Sequence, residues 1–517
     1  MNQNLLETVK LQQVASDPKN SAWVFASAGS GKTKILVDRV LRLLLSDVTP
    51  DKILCLTFTK NAALEMQDRI NSELAKWILC DEEELVEKLK NLSGKSPGQD
   101  VLKKARTLFN AVLDAEFKIK TQTIHAFCQT IIKIFPFEAD VRPSFEVIES
   151  AKESLLLKQV QKKLLQDAFI DKNLENLLKK INSKFDEESF LDVLSGFLSK
   201  KEKINFLKDE FFGIENVIAE IYKKFSVSPN YKKEDIFGEF LTKINFVEIL
   251  QLAQELENTE LKSNIDLTIA IRSFVNNQNL KSFDDFYSAF FTDKNEPRKL
   301  SKNTASNQLI KDLVEKQQIL IADFLEELNS FTICDNSVAI LTFVDLVLEK
   351  YNAIKKQNAL LDYNDLIVKT NQLLANPEFS DWIKLKMDSS FDHILIDESQ
   401  DTNHHQWNII KALSEDFFSG LSAQNQNRSI FIVGDEKQSI YSFQGAEPNI
   451  SEEIFTYFQN KLGDNLKKIE LNNSFRSVNT VLNAVDRVFS QSDIKKSLSK
   501  LSEFKNHLFA KPINNPS

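Results

Sequence analysis

The feature that most constrains the fold is a glycine-rich segment that directly follows an apolar run. The segment ASAGSGKT covers 26–33, and the apolar run before it covers 22–26. Glycines in such a segment let backbone N–H groups approach phosphate oxygens at the start of a helix, while a lysine and a threonine hydroxyl suit the outer phosphates and a magnesium ion. The pattern therefore predicts a phosphate-binding loop between a strand and a helix.

This loop departs from the strict pattern at one position, because Ala26 stands where the first glycine is expected. Glycine there is a backbone convenience, so the match weakens only slightly. The chain has 11 glycines in 517 residues, which makes their placement in such a loop informative. The residues expected to contact phosphate or metal are Ala26, Ser27, Ala28, Gly29, Ser30, Gly31, Lys32 and Thr33.

Two later segments supply what the loop lacks. ILIDESQDT covers 394–402 and VGDEKQSIYSFQGA covers 433–446. The apolar residues of the first segment predict a buried strand that carries Asp397 and Glu398 to its carboxyl end, where open α/β sheets bind ligands. Two adjacent carboxylates there can hold a metal ion and orient a water molecule. The fold must therefore bring Lys32 and Asp397 to one cleft.

The order of patterns predicts an α/β fold. Strand-like runs at 22–26, 53–58, 394–396 and 430–433 alternate with helical patterns, which is typical of a parallel sheet flanked by helices. Between about 140 and 355 the pattern changes to apolar residues at helical spacing. We therefore expect a P-loop (RecA-like) parallel-sheet ATPase core in two parts, 1–135 and 356–465, with a large α-helical domain inserted at 140–355.

Composition sets only outer limits. The net charge of −9 gives no global sign of nucleic-acid binding, so any DNA contact must come from a local groove. The four cysteines are widely spaced and suggest reduced core residues. No apolar run approaches the ~18 residues of a membrane span, and the best candidate, 339–348, contains Asp345. These features favour a soluble, cytoplasmic protein.

Two further segments concern a second ligand. LTFTKNAALEMQDRI at 56–70 and TIHAFC at 123–128 each place hydroxyl groups and an aromatic ring at a strand end. Hydroxyls and helix N-termini contact phosphates without reading sequence, and rings stack on bases. Taken alone, Phe58 or Phe127 is more simply a core residue, but several such segments in order favour single-stranded nucleic acid.

Together the segments AGSGKT, TFTKNAALEM, TIHAFC, IDESQDT, GDEKQSIYSFQGA and NNSFRS resemble the ordered motifs of UvrD/Rep-type superfamily 1 DNA helicases. SAWVFASAGSGKT and SIYSFQGAEP are most similar to the N-terminal part of the AddA subunit of bacterial helicase-nucleases. The resemblance implies an ATP-dependent DNA helicase or translocase that moves 3′ to 5′ and acts in double-strand-break repair and recombination.

On the nucleotide side, the resemblance assigns roles to individual residues. Gln12 would read the adenine edge, although the adjacent Gln13 could take that role instead. Lys32 and Thr33 would bind the phosphates of ATP and Mg²⁺. The remaining roles are metal binding by Asp397, water activation by Glu398, phosphate sensing by Gln438, charge stabilisation by Arg476 and base stacking by Phe475.

On the DNA side, the resemblance implies contacts with single-stranded or end-frayed double-stranded DNA. The residues concerned are Thr57, Phe58, Thr59, Thr123, His125, Tyr441 and Phe443. Gln444 stands where many family members have arginine, which puts one backbone contact in doubt. We interpret the neighbouring His404 and His405 as exposed rather than as metal ligands.

The C-terminal segment 466–517 corresponds to the start of a second motor domain in this family, which continues further and, in AddA-like chains, adds a nuclease domain. We expect a truncated or split protein whose missing parts lie on another chain, and its partner would be a second helicase-nuclease subunit. Such a chain would bind Mg-ATP but unwind DNA poorly alone. The alternatives are an ATP-gated single-stranded-DNA-binding or assembly module without productive unwinding, and a P-loop ATPase unrelated to nucleic acid.

Overall fold

The computed structural model divides the chain into two compact units. It describes residues 3–114, 119–183, 185–300, 304, 306–379, 382–383, 386, 391–417, 428–440, 447, 450–491, 494 and 507–509. One unit comprises residues 1–153 and 355–517, and the other comprises residues 154–354. The first unit contains a parallel sheet with helices, and the second is helical.

Helices make up most of the described chain. In chain order they are α1 (Gln3–Ala15), α2 (Lys32–Leu45), α3 (Lys60–Leu79), α4 (Glu82–Ser93), α5 (Gln99–Asp114), α6 (Ile124–Ile134), α7 (Ser150–Asp167), α8 (Lys172–Asn182), α9 (Glu187–Leu198), α10 (Lys201–Glu210), α11 (Ile214–Lys224), α12 (Lys233–Lys243), α13 (Phe246–Glu257), α14 (Lys262–Asn277), α15 (Leu280–Phe290), α16 (Gln308–Gln357), α17 (Tyr363–Ala375), α18 (His404–Ser414), α19 (Ser451–Leu462) and α20 (Asn479–Phe489). Helices α8 to α15 lie wholly in the second unit, together with most of α7 and α16.

The first unit is built on a six-stranded parallel sheet. The strands are β1 (Ser21–Ala26), β2 (Ile53–Thr57), β3 (Lys120–Thr123), β4 (Glu146–Val147), β5 (Leu360–Leu361), β6 (His393–Ile396), β7 (Ser429–Gly434), β8 (Leu466–Leu471), β9 (Asn473–Ser474) and β10 (Leu508–Phe509). The large sheet has the order β3-β2-β6-β7-β1-β8, while β4 pairs with β5 and β9 with β10. Because all neighbours in the large sheet are parallel, the carboxyl ends of its strands lie at one edge.

Alternation of side chains along the strands gives this sheet two cores. In β1, Trp23 and Phe25 pack with residues of α6, α17, α18 and α19. Ala22 and Val24 instead point to a core formed with α2, α3, α4 and α5. Successive side chains of a strand alternate between faces, so a strand that is apolar throughout is covered on both sides. This explains why the continuous apolar runs at β1, β2, β6 and β7 were recognisable in the sequence, and it confirms the expected parallel sheet flanked by helices.

The strand β8 was not expected as part of this sheet. The sequence places the start of a separate domain at 466, whereas the structure pairs Ser21 to Ala26 of β1 with Leu466 to Leu471 of β8. As the last strand in the sheet order, β8 has one unpaired edge and carries charged residues such as Lys467 and Glu470. An edge strand tolerates charge, so it lacks the continuous apolar run of the central strands.

The helical unit begins later than the sequence pattern indicates. Residues 140–153 belong to the first unit, where Glu146 and Val147 of β4 pair with Leu360 and Leu361 of β5. Two cores stabilise the helical unit. One lies among residues 227–331 and contains a cluster of phenylalanine rings, and the other lies among residues 156–354.

One described helix, α16, is long and apolar enough to cross a membrane by length and composition alone, contrary to the sequence-based expectation. In its most apolar window, 56% is buried inside the protein, and α16 contributes side chains to both cores of the helical unit. The core helix of a soluble protein passes the same test.

A buried arginine joins the first helices to the sheet. Arg39 of α2 donates hydrogen bonds to the carbonyl oxygens of Asp17 at 2.9 Å and Asn20 at 2.6 Å, and to Ser429 Oγ at 2.9 Å. Burial lowers its pKa to about 9, so it stays charged near neutral pH. His393 Nδ1 lies 2.8 Å from the same Ser429 hydroxyl, and burial, with Arg39 adding to it, lowers the pKa of His393 to about 3.

Candidate functional site

The loop after β1 has the backbone of an anion site. Gly29 and Gly31 have φ values of 77° and 94°, which glycine adopts readily and other residues rarely. Gly31 caps α2 without a side-chain hydrogen bond, and the first turn of that helix contains no acidic residue. The first N–H groups of a helix lack partners within the helix, and the helix dipole favours negative charge there. The Ser30 hydroxyl is also buried without a hydrogen-bond partner among the described residues. These groups fit a phosphate.

The segment that follows β8 lies against this loop. The Phe475 backbone N–H donates to the Gly29 carbonyl oxygen at 2.8 Å. A Cβ at Gly29 would lie 2.7 Å from the Arg476 Cβ and 2.8 Å from the Ser474 hydroxyl oxygen, which is too close for any side chain. Gly29 is therefore required both by its φ value and by this approach. The contact places Phe475 and Arg476, which the sequence assigned to the nucleotide, beside the phosphate-type loop.

The acidic pair at the end of β6 meets the same loop. Lys32 Nζ donates to Glu398 Oε2 at 2.6 Å, although the two residues are 366 positions apart. Asp397 is 8% exposed, and its Oδ1 accepts from the Glu398 backbone N–H at 2.9 Å. Burial and the neighbouring Glu398 raise the pKa of Asp397 to about 7, and Lys32 opposes this shift. The site thus combines one amine with two carboxylates.

This donor set suits magnesium with a phosphate ligand. No group of three or more His, Cys, Asp or Glu side chains able to hold a metal ion occurs among the described residues. Mg²⁺ usually takes one or two protein oxygens and completes its octahedron with water and substrate phosphates. Thr33, in the first turn of α2, and Asp397, at the end of β6, are two such oxygen donors. They fit a metal that is bound together with a nucleotide rather than a closed protein cage.

The two candidates for adenine recognition point in different directions. Gln12 is buried, and its Nε2 donates to the Ser30 carbonyl oxygen at 3.1 Å. Gln13 instead donates to the Asn91 carbonyl oxygen at 2.9 Å, near the end of α4. Gln12 therefore contacts the loop at 26–33, and Gln13 is engaged elsewhere.

A hydrogen-bonded chain continues from Glu398 to the end of β7. Gln400 Nε2 donates to Glu398 Oε2 at 2.7 Å, and its Oε1 accepts from the Asp435 backbone N–H at 2.9 Å. Gln438 Nε2 donates to Asp435 Oδ2 at 2.6 Å. Sequence reasoning selected Gln438 but missed Gln400 and Asp435. Their position in the motif segments, directly after strands of the sheet, was the available signal.

The residues assigned to DNA lie at the carboxyl ends of β2 and β3. Thr57 and Thr123 are partners in the parallel register of these strands. Thr57 Oγ1 donates to the Thr59 carbonyl oxygen at 3.0 Å. The Thr59 and Thr123 hydroxyls also cap helices, because they accept backbone N–H groups at the starts of α3 and α6. These capping bonds are structural roles that the sequence analysis did not assign.

The aromatic members of this group are partly buried. Phe58 follows Thr57 at intermediate exposure. The ring of His125 packs edge-on against Tyr363, with centroids 5.5 Å apart, and burial lowers its pKa to about 4. Phe127 is 2% exposed in the core, as its simpler interpretation requires. Tyr441, Phe443 and Gln444 lie outside the described residues.

Two smaller expectations also meet the structure. His404 and His405 are half-buried rather than exposed, because they stand in the first turn of α18, where His405 Nδ1 lies 3.4 Å from Asn371 Nδ2. The four cysteines carry free thiols, and Cys80 is the one that is not buried.

Fold and site together define a parallel-sheet α/β protein with a charged ligand site at the carboxyl ends of its strands. The family described as UvrD/REP helicase N-terminal domain matches residues 6–459. The chain therefore belongs to the UvrD/REP helicase family, as the motif resemblance implied.

Several relatives that are named as the AddA subunit of an ATP-dependent helicase/nuclease are similar to this chain. The protein of Clostridium botulinum is 27% identical over 92% of this chain and 38% of its own length. The protein of Lactobacillus johnsonii is 27% identical over 93% of this chain and 40% of its own length. The protein of Listeria monocytogenes is 27% identical over 91% of this chain and 38% of its own length. The chain thus spans about two fifths of the length of these relatives.

Proposed function

We propose that this chain is the ATP-hydrolysing part of a DNA helicase or translocase that acts in double-strand-break repair and recombination. The observation that carries the proposal is the contact between Lys32 and Glu398 at 2.6 Å. It brings the amine of a glycine-rich loop and the carboxylate of a strand end to one place. That place lies beside helix N–H groups that favour an anion.

The nucleotide roles follow from this geometry. Lys32 would leave Glu398 and bind the outer phosphates of ATP, which frees the Glu398 carboxylate to accept a proton from water. Thr33 and Asp397 would hold Mg²⁺, which when bound neutralises phosphate charge. Gln438 would sense the terminal phosphate, and Arg476 would stabilise its developing charge, as an arginine finger does. Gln12 would bind the adenine edge, with Phe475 stacking on the base.

The DNA roles are proposed from the motif resemblance and from position. The ends of β2 and β3 carry Thr57, Phe58, Thr123 and His125, and the register pairs Thr57 with Thr123. A surface of hydroxyls and rings binds single strands without reading sequence. Movement 3′ to 5′ is the direction that the family resemblance implies.

The architecture and partners are proposals as well. The helical unit of 154–354 would be an insertion in a RecA-like motor core, and the segment after β8 would lead into a second motor domain. Because the relatives are more than twice as long, the remaining motor and nuclease parts would lie in further sequence or on another chain. The partner would be a second helicase-nuclease subunit. A cytoplasmic location fits this role.

The test is ATP hydrolysis by the purified chain with and without a single-stranded oligonucleotide. We expect DNA to raise turnover and Lys32→Ala to abolish it. The matched control is Lys34→Ala, because Lys34 lies two residues away but is exposed and pairs with Asp38 at 2.5 Å. Turnover that is insensitive to DNA would favour an ATPase unrelated to nucleic acid.

DNA and nucleotide binding without turnover would favour the ATP-gated binding or assembly module. Unwinding is a separate measurement. Nucleotide drives such motors by drawing two motor domains together, so we expect the isolated chain to unwind poorly or not at all. Robust unwinding by these 517 residues alone would refute that expectation.

A further inference from the structure

We propose that Gln400 is a positioning residue that fixes the Glu398 carboxylate for hydrolysis and couples it to the turn that carries Gln438. The inference rests on the proposed function, because it takes Glu398 as the group that activates water. It concerns the Glu398–Gln400–Asp435 chain of hydrogen bonds, in which Gln400 occupies the middle position.

Both ends of the Gln400 amide are used. The residue is 3% exposed, its Oε1 accepts from the Asp435 backbone N–H at 2.9 Å, and its Nε2 donates to Glu398 Oε2 at 2.7 Å. A backbone N–H can only donate and an ionised carboxylate can only accept, so this pair of partners allows one orientation of the amide. The amide therefore cannot turn over without losing both bonds.

Glu398 needs such a support. Its backbone has φ 51° and ψ 48°, a left-handed conformation that residues other than glycine adopt with strain. Its Oε2 also accepts from Lys32, but the proposed function requires Lys32 to move to the phosphates. Gln400 has no such competing role. It would hold the carboxylate in place at the step when the lysine has left.

The other end of Gln400 leads to the phosphate sensor. Asp435, whose N–H donates to Gln400, accepts the Gln438 side-chain amide at 2.6 Å. Gly434 makes this approach possible, since a Cβ there would lie 2.6 Å from Gln400 Oε1 and 3.2 Å from the Ser399 backbone nitrogen. A displacement of the turn at 435–438 would therefore move the acceptor side of Gln400 and reach Glu398.

The experiment compares two variants of Gln400 in the full chain. Gln400→Met removes both hydrogen bonds at similar size. Gln400→Glu keeps an acceptor for the Asp435 N–H, but it lacks the donor and places a second carboxylate against Glu398. The matched control is Gln406→Met, because Gln406 is also buried and its Oε1 accepts a backbone N–H, that of Asn403, at the start of α18. The measurements are kcat for ATP, the Kd of a non-hydrolysable ATP analogue and the thermal midpoint.

We expect Gln400→Met to lower kcat about 100-fold, the loss typical of a reacting group displaced by about 1 Å, while the analogue Kd changes little. Gln400→Glu should lose at least as much activity. Gln406→Met should lower the thermal midpoint through the lost cap and leave kcat per folded molecule unchanged. Wild-type kcat in Gln400→Glu would overturn the proposal, since the bond to Asp435 alone would then suffice.

Failure of the proposed function can be told apart from failure of this inference. Absence of ATP turnover in the wild-type chain counts against the function alone. In that case, crystal structures of the wild type and of Gln400→Met still decide the inference. A Glu398 carboxylate that turns away in the variant supports it, and one that stays in place overturns it. Gly434→Ala, which would push Gln400 aside, provides a second route to the same displaced carboxylate.

Discussion

Replacing Glu398 by Gln is expected to make the chain bind Mg-ATP more tightly while it loses hydrolysis. In the free chain, the Lys32–Glu398 pair at 2.6 Å must break before the lysine can reach phosphate, and the side chains are 13% and 34% exposed. A partly exposed ion pair typically contributes about 1 kcal/mol. A neutral amide at 398 removes that cost and also removes one negative charge beside the triphosphate. Affinity should therefore rise about fivefold or more.

The assay is titration of a fluorescent ATP analogue with Mg²⁺, together with steady-state ATP turnover. The matched control is Glu65→Gln, which also removes one negative charge but takes it from an exposed pair with Arg69 on α3. The control should leave affinity nearly unchanged. Glu398→Gln should also lower kcat by more than about 100-fold, because the water loses its proton acceptor. Unchanged or weaker nucleotide affinity in Glu398→Gln would show that the lysine is not held back by this pair.

Three further outcomes follow from the structure. Gly29→Ala should weaken nucleotide binding, since its Cβ would meet the Arg476 Cβ at 2.7 Å, whereas Gly98→Ala, which meets nothing within 4 Å, should not; equal affinities would refute the close approach. Arg39→Met should cost about 3 kcal/mol or more of stability, because buried carbonyl groups lose charged donors, and an unchanged thermal midpoint would contradict this. The pKa of His393, lowered to about 3 from 6.5, makes the neutral form part of the fold. Its stability contribution is complete above pH 6.5 and is lost as pH falls towards 3, so His393→Asn should reduce the drop in thermal midpoint between about pH 7 and pH 5. An undiminished drop would assign that pH dependence to other groups.

The sequence located the central strands because their burial leaves a local trace. A strand covered on both faces must be apolar throughout, and the runs at 22–26 and 430–433 lie within β1 and β7. The edge strand β8 leaves no such trace, since one of its edges is unpaired. Its place beside β1 follows from hydrogen bonding to a strand more than four hundred residues away, which no local pattern encodes.

Neighbouring residues of the same type illustrate a second limit. Gln12 and Gln13 have identical chemistry, so the sequence left both open for adenine recognition. The way in which α1 packs turns Gln12 towards the Ser30 carbonyl and Gln13 towards Asn91. Gln400 was overlooked because a neutral amide beside two carboxylates has no distinctive signal until Asp435 is placed next to it.

By itself, the sequence determined the local parts of this protein: the glycine loop, the acidic strand end and the ordered motifs of the family. These are encoded by residue type and short spacing, since backbone conformation and strand burial depend mainly on nearby residues. Only the tertiary structure decided which distant parts meet, as in the contacts of Lys32 with Glu398 and of Gly29 with Arg476. The physical reason is that such contacts depend on how the strands are ordered in the sheet, and that order is a property of the whole core.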